Sequence, residues 1–380
     1  MTTQSAAHPM IVEPSHDELA EQLFVRDLKM FVMTDIEPAQ RAAAEAKAQA
    51  LDLAGSNDPV GTLRAAMFGE PNFRTWVGLR RESQRLLWDV VGDAIADQSA
   101  QLAAKAAIAQ PLGSVRVDGD FAAPGYLVEG DVHLMPGGYG ADTGEGALYQ
   151  GALMDRGGAV YMLGRNGGML NDVRGHTAMA HVLTCYPDLE PRHILDMGCG
   201  VGSSTVPATQ CFPEADVHGI DVGADMLRYA HARAENMGAA IHFSQQNGES
   251  TDFPDASFDI VYSCVMLHET SQAAVANIMA ESRRLLRPGG VAVHLEVPLL
   301  MTIGSLWEEM SAELEAEYNN EPYWRGALTA DYGALLASAG FSDVRVGYQR
   351  AAWLARRADL HFGPESEGVF RSWFVASGRA

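Results

Sequence analysis

Apolar residues recur every three to four positions in the first third of the chain, which is the period of an amphipathic helix. Residues 17–34 carry such a stripe, and the alanine-rich segment 38–55 ends at a glycine. A longer stripe extends from about Phe73 to Ala109. The pattern predicts that residues 1–111 form a helical extension, which buries its apolar face against the rest of the chain or across a dimer. The first stripe consists of Leu19, Leu23, Phe24, Leu28 and Phe31.

Residues 112–179 differ in composition from this helical region. Glycines are frequent, and short alternating runs such as YLVEGDVHLM and AVYML stand between them. Alternation broken by glycine indicates hairpins or loops rather than helix. Two interpretations of this glycine-rich arm stay open: a connecting segment on the surface, or a lid over a site that begins near residue 193.

From residue 193 onward, short apolar runs alternate with helical stretches. This order predicts an α/β fold, Rossmann-like and doubly wound, with a mostly parallel sheet of seven strands. We expect residues 180–380 to form this domain, with an insertion at 299–328. The predicted helices span 203–211, 224–237, 271–286 and 329–339. The predicted strands are HILDMG, DVHGID, AIHFSQQ, FDIVYSCVML, GVAVHLEV, VRVGYQ and SWFVASG.

The net charge limits which binding partners are expected, and the cysteine content indicates the redox state of the compartment. The 380 residues carry a formal net charge of −22, so a nucleic acid or an anionic membrane surface is a poor partner and a small molecule fits better. The first residues lack a basic start and an apolar stretch, and no run of eighteen apolar residues occurs. The four cysteines form no Cys-x-x-Cys pair. These features predict reduced thiols and a cytoplasmic location.

The stretch HILDMGCGVGSS, residues 193–204, contains Gly198, Gly200 and Gly202 between a predicted strand and a predicted helix. Glycines in that setting let a nucleoside ligand approach the backbone at the end of the strand. Asp221 ends the next predicted strand, where an acid can accept hydrogen bonds from ribose hydroxyls. Dinucleotide enzymes share this feature, so the acid alone does not identify the cofactor.

Two later features of the sequence indicate that the nucleoside cofactor is not a dinucleotide. Asn247 ends the third predicted strand, and a Pro-Gly-Gly turn precedes the fifth. Together with the glycine loop, they make residues 193–297 resemble the class I S-adenosylmethionine-dependent methyltransferases, closest to the ubiquinone/menaquinone-biosynthesis type and the small-molecule O-methyltransferases. The resemblance implies S-adenosylmethionine as cofactor, with S-adenosylhomocysteine as product. It also implies these cofactor-binding residues: Asp196, Gly198, Gly200, Gly202, Asp221, Val222, Met226, Asn247, Gly248 and Ser263.

His268 follows the fourth predicted strand and is the candidate base. In many small-molecule O-methyltransferases a histidine in a matching Leu-His context takes the proton of the acceptor hydroxyl, and imidazole titrates near neutral pH. Alternatively, His268 packs against the cofactor at the start of a helix. Glu296, on the neighbouring fifth strand, is expected to lie near the His268 ring and orient it, although the family often has an acid there for structural reasons.

Aromatic residues supply candidates for the acceptor pocket. Tyr318 and Trp324 of the insertion, and Tyr161 of the arm, are predicted to contact a flat acceptor. The apolar stripe of the insertion is equally compatible with a packed core. Metal-dependent catechol-type enzymes place an acid after the fourth strand, where this chain has Ser263 and Cys264, so no metal is expected.

The sequence therefore predicts methyl transfer to a small-molecule acceptor, with a hydroxyl as the preferred nucleophile. Nitrogen, sulfur and carbon acceptors, served by alignment alone, remain alternatives. A cofactor-binding protein that has lost turnover is a further alternative, which the complete glycine loop and Asp221 argue against. A nicotinamide-dependent oxidoreductase is disfavoured because no Tyr-x-x-x-Lys follows a strand.

Overall fold

A computed structural model describes most of the chain, namely residues 8–53, 56–127, 130–140, 142–144, 146–161, 172–297, 305–354, 361–368 and 370–380. The side chain of Tyr161 lies outside the described residues. So do residues 162–171 of the arm and 299–304 of the predicted insertion.

One sheet of nine strands organises the described residues, in the order β1-β4-β3-β2-β5-β6-β9-β7-β8. The strands from β1 to β6 pair in parallel, whereas β9 is antiparallel to both of its neighbours. All seven predicted strands are present, but the count of seven is wrong because β1 and β8 extend the two edges. Each has only two or three residues, too few for a detectable alternation. The strands are β1 Ser114–Arg116, β2 His193–Met197, β3 Asp216–Asp221, β4 His242–Gln245, β5 Phe258–Cys264, β6 Leu286–Glu296, β7 Ser342–Arg350, β8 Phe362–Gly363 and β9 Ser372–Arg379.

Helices precede the sheet and cover both of its faces. The two large apolar clusters on the faces contain the inward side chains of the central strands, such as Ile260 on one face and Val261 on the other. No helix within the described ranges combines the length and apolarity that a membrane crossing requires. The helices are α1 His16–Phe31, a π-helical segment Val32–Ile36, α2 Glu37–Ala50, α3 Pro59–Phe68, α4 Pro71–Asp97, α5 Ser99–Ala106, α6 Tyr149–Tyr161, α7 Val173–Cys185, α8 Val206–Cys211, α9 Ala224–Asn236, α10 Gln272–Leu285, α11 Leu306–Tyr318, α12 Trp324–Thr329 and α13 Tyr332–Ser338.

Part of the glycine-rich arm folds differently from the prediction. Residues 149–161 and 173–185 are the helices α6 and α7, and VHL within YLVEGDVHLM is a single 3₁₀ turn. Here the glycines are contact points between helices. A Cβ on Gly151 would lie 2.2 Å from Cβ of Tyr229, and one on Gly157 would lie 2.3 Å from the Trp88 ring. The absence of a side chain lets α6 pack closely against α9 and α4.

The N-terminal helices bury a different face from the predicted one. In α1, Gln22 and Val25 are buried, whereas Phe24 is 65% exposed and Phe31 is 52% exposed. Further along, α3 and α4 form an apolar cluster with α11, in which Trp76 lies 5.4 Å from Trp307 between ring centroids. The N-terminal helices thus pack on the insertion and on α6 and α9.

Candidate functional site

A cavity of about 260 Å³ opens at the carboxyl ends of β2, β3 and β5. This edge of a doubly wound sheet is where ligands bind. The glycine loop and Asp221 form one part of its wall, and the residues after β5 form another. The arm, α4 and the insertion complete it. Their lining residues are Trp88, Tyr126, Leu127, His133, Tyr139, Met154, Gly158, Glu315, Glu321 and Trp324.

Asp196 holds the glycine loop in place through hydrogen bonds with residues at the end of the loop. This carboxylate is fully buried at the end of β2, and its Oδ2 accepts hydrogen bonds from Ser204 Oγ at 2.7 Å and Thr205 Oγ1 at 2.8 Å. Burial raises the pKa of Asp196 to about 7. Its side chain does not line the cavity, so the predicted cofactor contact becomes a supporting role: Asp196 holds the loop against the start of α8.

Gly200 and Asp221 form a cradle suited to a nucleoside. Gly200 has φ +51°, and a Cβ added there would meet nothing within 4 Å, because it would project into open space. The Gly200 amide donates to Asp221 Oδ2 at 2.8 Å, and the Gly223 amide donates to Oδ1 at 2.9 Å. Each carboxylate oxygen keeps further acceptor capacity. The residues therefore fit a ribose whose two hydroxyls donate to a pre-oriented acid.

Arg174, on α7, provides a second test of whether the cavity fits S-adenosylmethionine. Arg174 is partly buried at the cavity wall, with Nη2 3.5 Å from Ser203 Oγ, and its buried Nε has no hydrogen-bond partner among the described residues. Burial lowers the pKa of Arg174, and the ion pairs between described residues do not include it. A partly buried cation with no ion-pair partner among the described residues suits an anionic ligand group. The carboxylate of a methionine moiety is such a group.

The residues predicted to meet the adenine lie in the same cavity as the glycine loop. Asn247, Gly248 and Val222 line the cavity as expected. The Asn247 side-chain oxygen accepts from the Glu249 amide at 3.0 Å, which fixes its orientation. Of the three predicted glycines, Gly198 and Gly200 line the cavity, whereas a Cβ on Gly202 would meet the Phe243 ring at 3.2 Å.

Three predicted cofactor residues lie behind the cavity wall. Gly202 packs on Phe243, and Met226 is fully buried in the cluster beneath α6. Ser263 is also fully buried, with its Oγ 2.9 Å from His294 Nδ1. At all three positions the side-chain direction is toward the core and not toward the cavity.

His268 and Glu296 come together as the sequence analysis expected. His268 lies in a 3₁₀ turn after β5, and its Nδ1 is 2.7 Å from Glu296 Oε2. The other oxygen of Glu296 accepts from the backbone amides of Met266 at 3.0 Å and Leu267 at 2.7 Å. Glu296 thus fixes both the turn and the ring. His268 Nε2 faces Glu269, whose Oε1 is 3.3 Å away.

A second histidine, missed in the sequence analysis, meets the same carboxylate. His133 Nε2 lies 2.9 Å from Glu269 Oε1, and its Nδ1 lies 2.7 Å from Glu321 Oε1. The Tyr139 hydroxyl donates to Glu269 Oε1 at 3.2 Å. We call His133, His268, Glu269, Glu296 and Glu321 the imidazole–carboxylate cluster. No local pattern predicts it, since His133, Glu321 and Glu269 come from the arm, the insertion and the sheet.

Charge pairing shifts the protonation of the cluster. Burial disfavours the charged imidazoles, but the facing carboxylates outweigh it, raising the pKa of His133 to about 10 and that of His268 well above its usual value. Burial would raise the pKa of Glu269, yet the two imidazoles hold it well below its ordinary range. Positive charge beside the Glu269 carboxylate therefore stabilises the cluster.

The two predicted aromatic contacts divide between two cavities. Trp324 lines the main cavity and meets the His268 ring edge to face, with centroids 5.3 Å apart. Tyr318 lies instead beside a second cavity of about 290 Å³, between α11 and the N-terminal helices, under the Arg81 guanidinium. Trp88 and Tyr139, which the sequence analysis did not single out, complete the aromatic wall of the main cavity.

Comparison with known proteins finds similarity to methyltransferases. The family described as methyltransferase domain matches residues 194–290. The protein named probable methyltransferase ltbC, from Aspergillus luteorubrus, is 30% identical over 209 residues, which cover 48% of this chain and 73% of that protein. Demethylmenaquinone methyltransferase of Thermus thermophilus is 32% identical over 108 residues, or 28% of this chain and 48% of that protein. In a solved structure, phosphoethanolamine N-methyltransferase 2 of Haemonchus contortus shows 20% identity and a TM-score of 0.36, over 45% of this chain and 38% of that one.

The chain belongs to the class I S-adenosylmethionine-dependent methyltransferases. It is accordingly a methyltransferase enzyme with S-adenosylmethionine as its methyl donor. The residues that match the family model lie within the sheet domain, and the chain spans about half the length of the demethylmenaquinone enzyme.

Proposed function

We propose that this enzyme methylates a hydroxyl group of a small-molecule acceptor, with His268 and Glu296 as the catalytic pair. The observation that supports this proposal is the position of the imidazole–carboxylate cluster, which shares one cavity with Gly200 and Asp221. Hydroxyl methylation requires a place for the hydroxyl proton, whereas an acceptor that is already nucleophilic needs alignment alone. A group of proton-handling side chains beside the donor site favours the hydroxyl.

Different residues of the cavity bind the methyl donor, bind the acceptor and take up the proton. S-adenosylmethionine supplies an electrophilic methyl group and a neutral thioether leaving group. Gly200, Asp221 and Arg174 hold the donor, and Trp88 with Trp324 walls the acceptor side. The aromatic side chains reduce the water around the reacting atoms, which favours in-line approach of two bound reactants. As the oxygen–carbon bond forms and the sulfur–carbon bond breaks, the hydroxyl proton passes to the imidazole–carboxylate cluster. Because the facing carboxylates raise the pKa of His268, the ring accepts this proton only from its neutral form.

Product analysis tests the position of the methyl group. The full chain is incubated with an extract of small molecules and a donor labelled with ¹³C in its methyl group, and products are isolated by mass. We expect the ¹³C resonance of a methoxy group. A label found only on nitrogen, sulfur or carbon would contradict hydroxyl methylation, while still agreeing with a methyltransferase. The Asp221→Ala variant gives the matched background.

We also propose a homodimer formed through the N-terminal helices and a cytoplasmic location. The dimer is supported by the exposed apolar side of α1, where Phe24 and Phe31 are 65% and 52% exposed. Light scattering on the wild type and on Phe24→Glu tests it. A wild type that is monomeric at micromolar concentration would contradict the dimer.

A further inference from the structure

Three ligand atoms in the imidazole–carboxylate cluster converge on one point. His133 Nε2 is 2.9 Å and His268 Nε2 is 3.3 Å from Glu269 Oε1, and the three groups lie within 4.8 Å of one another. Ligands bonded at about 2.1 Å to one ion are separated by about 3.0–3.4 Å in octahedral or tetrahedral geometry. The two separations from Glu269 Oε1 are close to this range, and the three atoms are near enough to one another to share one ion.

A carboxylate holds the outer nitrogen of each imidazole. His268 Nδ1 lies 2.7 Å from Glu296, and His133 Nδ1 lies 2.7 Å from Glu321. Both carboxylates are almost completely buried, with side-chain exposures of 1% and 2%. Metal-bound histidines are oriented in this way, because an Nδ1–H donated to a carboxylate turns the Nε2 lone pair toward the ion.

The backbone at His133 is held in a conformation that serves this convergence. Its φ is +57°, which is uncommon for a residue other than glycine. The His133 carbonyl accepts from Trp88 Nε1 at 2.7 Å and from Gln84 Nε2 at 2.9 Å. Strained residues that surrounding structure fixes in place are concentrated at functional sites. Here α4 fixes the residue that brings the arm to Glu269.

We infer that His133, His268 and Glu269 form a binding site for one divalent transition-metal ion. Two imidazole nitrogens and one carboxylate favour Zn²⁺, Co²⁺, Fe²⁺ or Mn²⁺ over Ca²⁺ or Mg²⁺. Charge supports the same assignment. The three buried carboxylates of the cluster face two imidazoles, and a divalent ion would add positive charge between them.

The site leaves coordination positions toward the cavity, where an acceptor would lie. This step rests on the proposed function: a hydroxyl oxygen bound to the ion has a lowered pKa and loses its proton to water. The oxygen–carbon bond then forms as the sulfur–carbon bond of the donor breaks. An acceptor with a second oxygen next to its hydroxyl would bind through both atoms. With the ion in place, His268 serves as a ligand instead of a base.

Metal binding is measured on the chelator-treated full chain, without donor or acceptor, so the result does not depend on the proposed reaction. Equilibrium dialysis with Zn²⁺ gives stoichiometry and affinity, and Co²⁺ absorption reports coordination. We expect one tightly bound ion per chain. Glu321→Gln should weaken it about 10–100-fold, and Glu269→Gln should weaken it further. His133→Asn, chosen because asparagine tolerates a positive φ, should behave like Glu269→Gln while the unfolding transition stays intact.

Surface histidines require a control. His193, His218 and His242 all lie within 3.8 Å of Asp216 and offer a separate place for an ion. Asp216→Asn removes that group without touching the cluster. Loss of the tight ion in Glu269→Gln but not in Asp216→Asn supports the inference. No binding, or binding lost only in Asp216→Asn, overturns it.

Turnover separates the metal site from the proposed function. We expect chelation to lower the rate of methoxy product formation and Zn²⁺ or Mn²⁺ to restore it. A rate unchanged by chelation would overturn the role of the ion and leave His268 as the base. A metal-dependent product methylated on nitrogen would instead contradict the hydroxyl acceptor and leave the metal site standing.

Discussion

At the scale of single residues, Asp221 is the clearest test of the donor site. Its two oxygens are held by the amides of Gly200 and Gly223 and face the cavity. Removing the ribose acceptor in Asp221→Ala should weaken binding of S-adenosylhomocysteine by about 10- to 100-fold, the effect of about 1–3 kcal/mol. Calorimetry measures this loss, with Asp216→Ala on the surface as control. Equal affinity in wild type and Asp221→Ala would rule out the ribose contact.

Arg174 makes a separate prediction about the amino-acid end of the donor. Arg174→Met keeps an apolar stem but removes the partly buried guanidinium, so a ligand carboxylate loses its partner. Affinity for S-adenosylhomocysteine should fall by about 10-fold or more, at about 1.5–3 kcal/mol for a charged hydrogen bond. Affinity for methylthioadenosine, which lacks the amino acid, should stay the same. An equal loss for both ligands would show that Arg174 only supports the fold.

At the scale of elements, α4 connects the N-terminal region to the site through Trp88. Its Nε1 donates to the His133 carbonyl, and its ring forms part of the cavity wall. Trp88→Phe keeps most of the ring but removes the donor, so His133 is held less firmly. We expect a several-fold lower kcat with unchanged affinity for S-adenosylhomocysteine. Trp353→Phe, at a side chain that is 61% exposed, is the control; an unaltered kcat in Trp88→Phe would contradict the connection.

The sequence predicts a strand or a helix correctly where the burial of its side chains alone determines which of the two forms. The central strands are continuous apolar runs between helices, and every one of them is present in the sheet. The helices α6 and α7 differ from the loops predicted for the arm, whose high glycine content favours turns; three of the glycines in the two helices are Gly151, Gly157 and Gly175. Each glycine in fact abuts another element, since a Cβ on Gly175 would lie 2.3 Å from the Ser204 carbonyl oxygen. Whether a glycine serves a turn or a close helix contact depends on tertiary structure.

The residues of the candidate site also fall into two groups: those that the order of elements along the chain predicts, and those that only the tertiary structure brings together. The glycine loop, Asp221 and the His268–Glu296 pair follow from order along one domain. His133 reaches Glu269, and Glu321 reaches His133, only because the arm and the insertion fold over the strand ends. Their positions depend on contacts more than a hundred residues apart, for which local pattern carries no signal.

At the scale of the whole molecule, buried neutral histidines link stability to pH. His181 and His294 are buried, and burial lowers the pKa of each ring to about 4. Folding therefore disfavours their protonated forms. Their contribution to stability is complete above about pH 6.5 and is lost as pH falls toward 4, by about 1.4 kcal/mol per pH unit for each ring. Chemical unfolding across this range should show a smaller decrease in His181→Gln than in the wild type.

The control is His16→Gln, at an exposed position on α1. It should follow the wild-type dependence on pH. If His181→Gln and the wild type lose stability in parallel between pH 6.5 and 4, the titration of this buried ring is not a source of acid sensitivity.

The most direct test of the active site is the turnover of His268→Ala beside its affinity for S-adenosylhomocysteine. His268 lies between Glu296 and Glu269 on the acceptor side of the cavity. We predict that kcat falls by about 10²–10⁴-fold while donor affinity is unchanged, because the variant removes activation of the hydroxyl and leaves the donor cradle intact. Glu296→Gln, which retains the ring, should lower kcat less. Turnover of His268→Ala close to the wild-type value would contradict hydroxyl activation at this residue and leave alignment alone as the basis of catalysis.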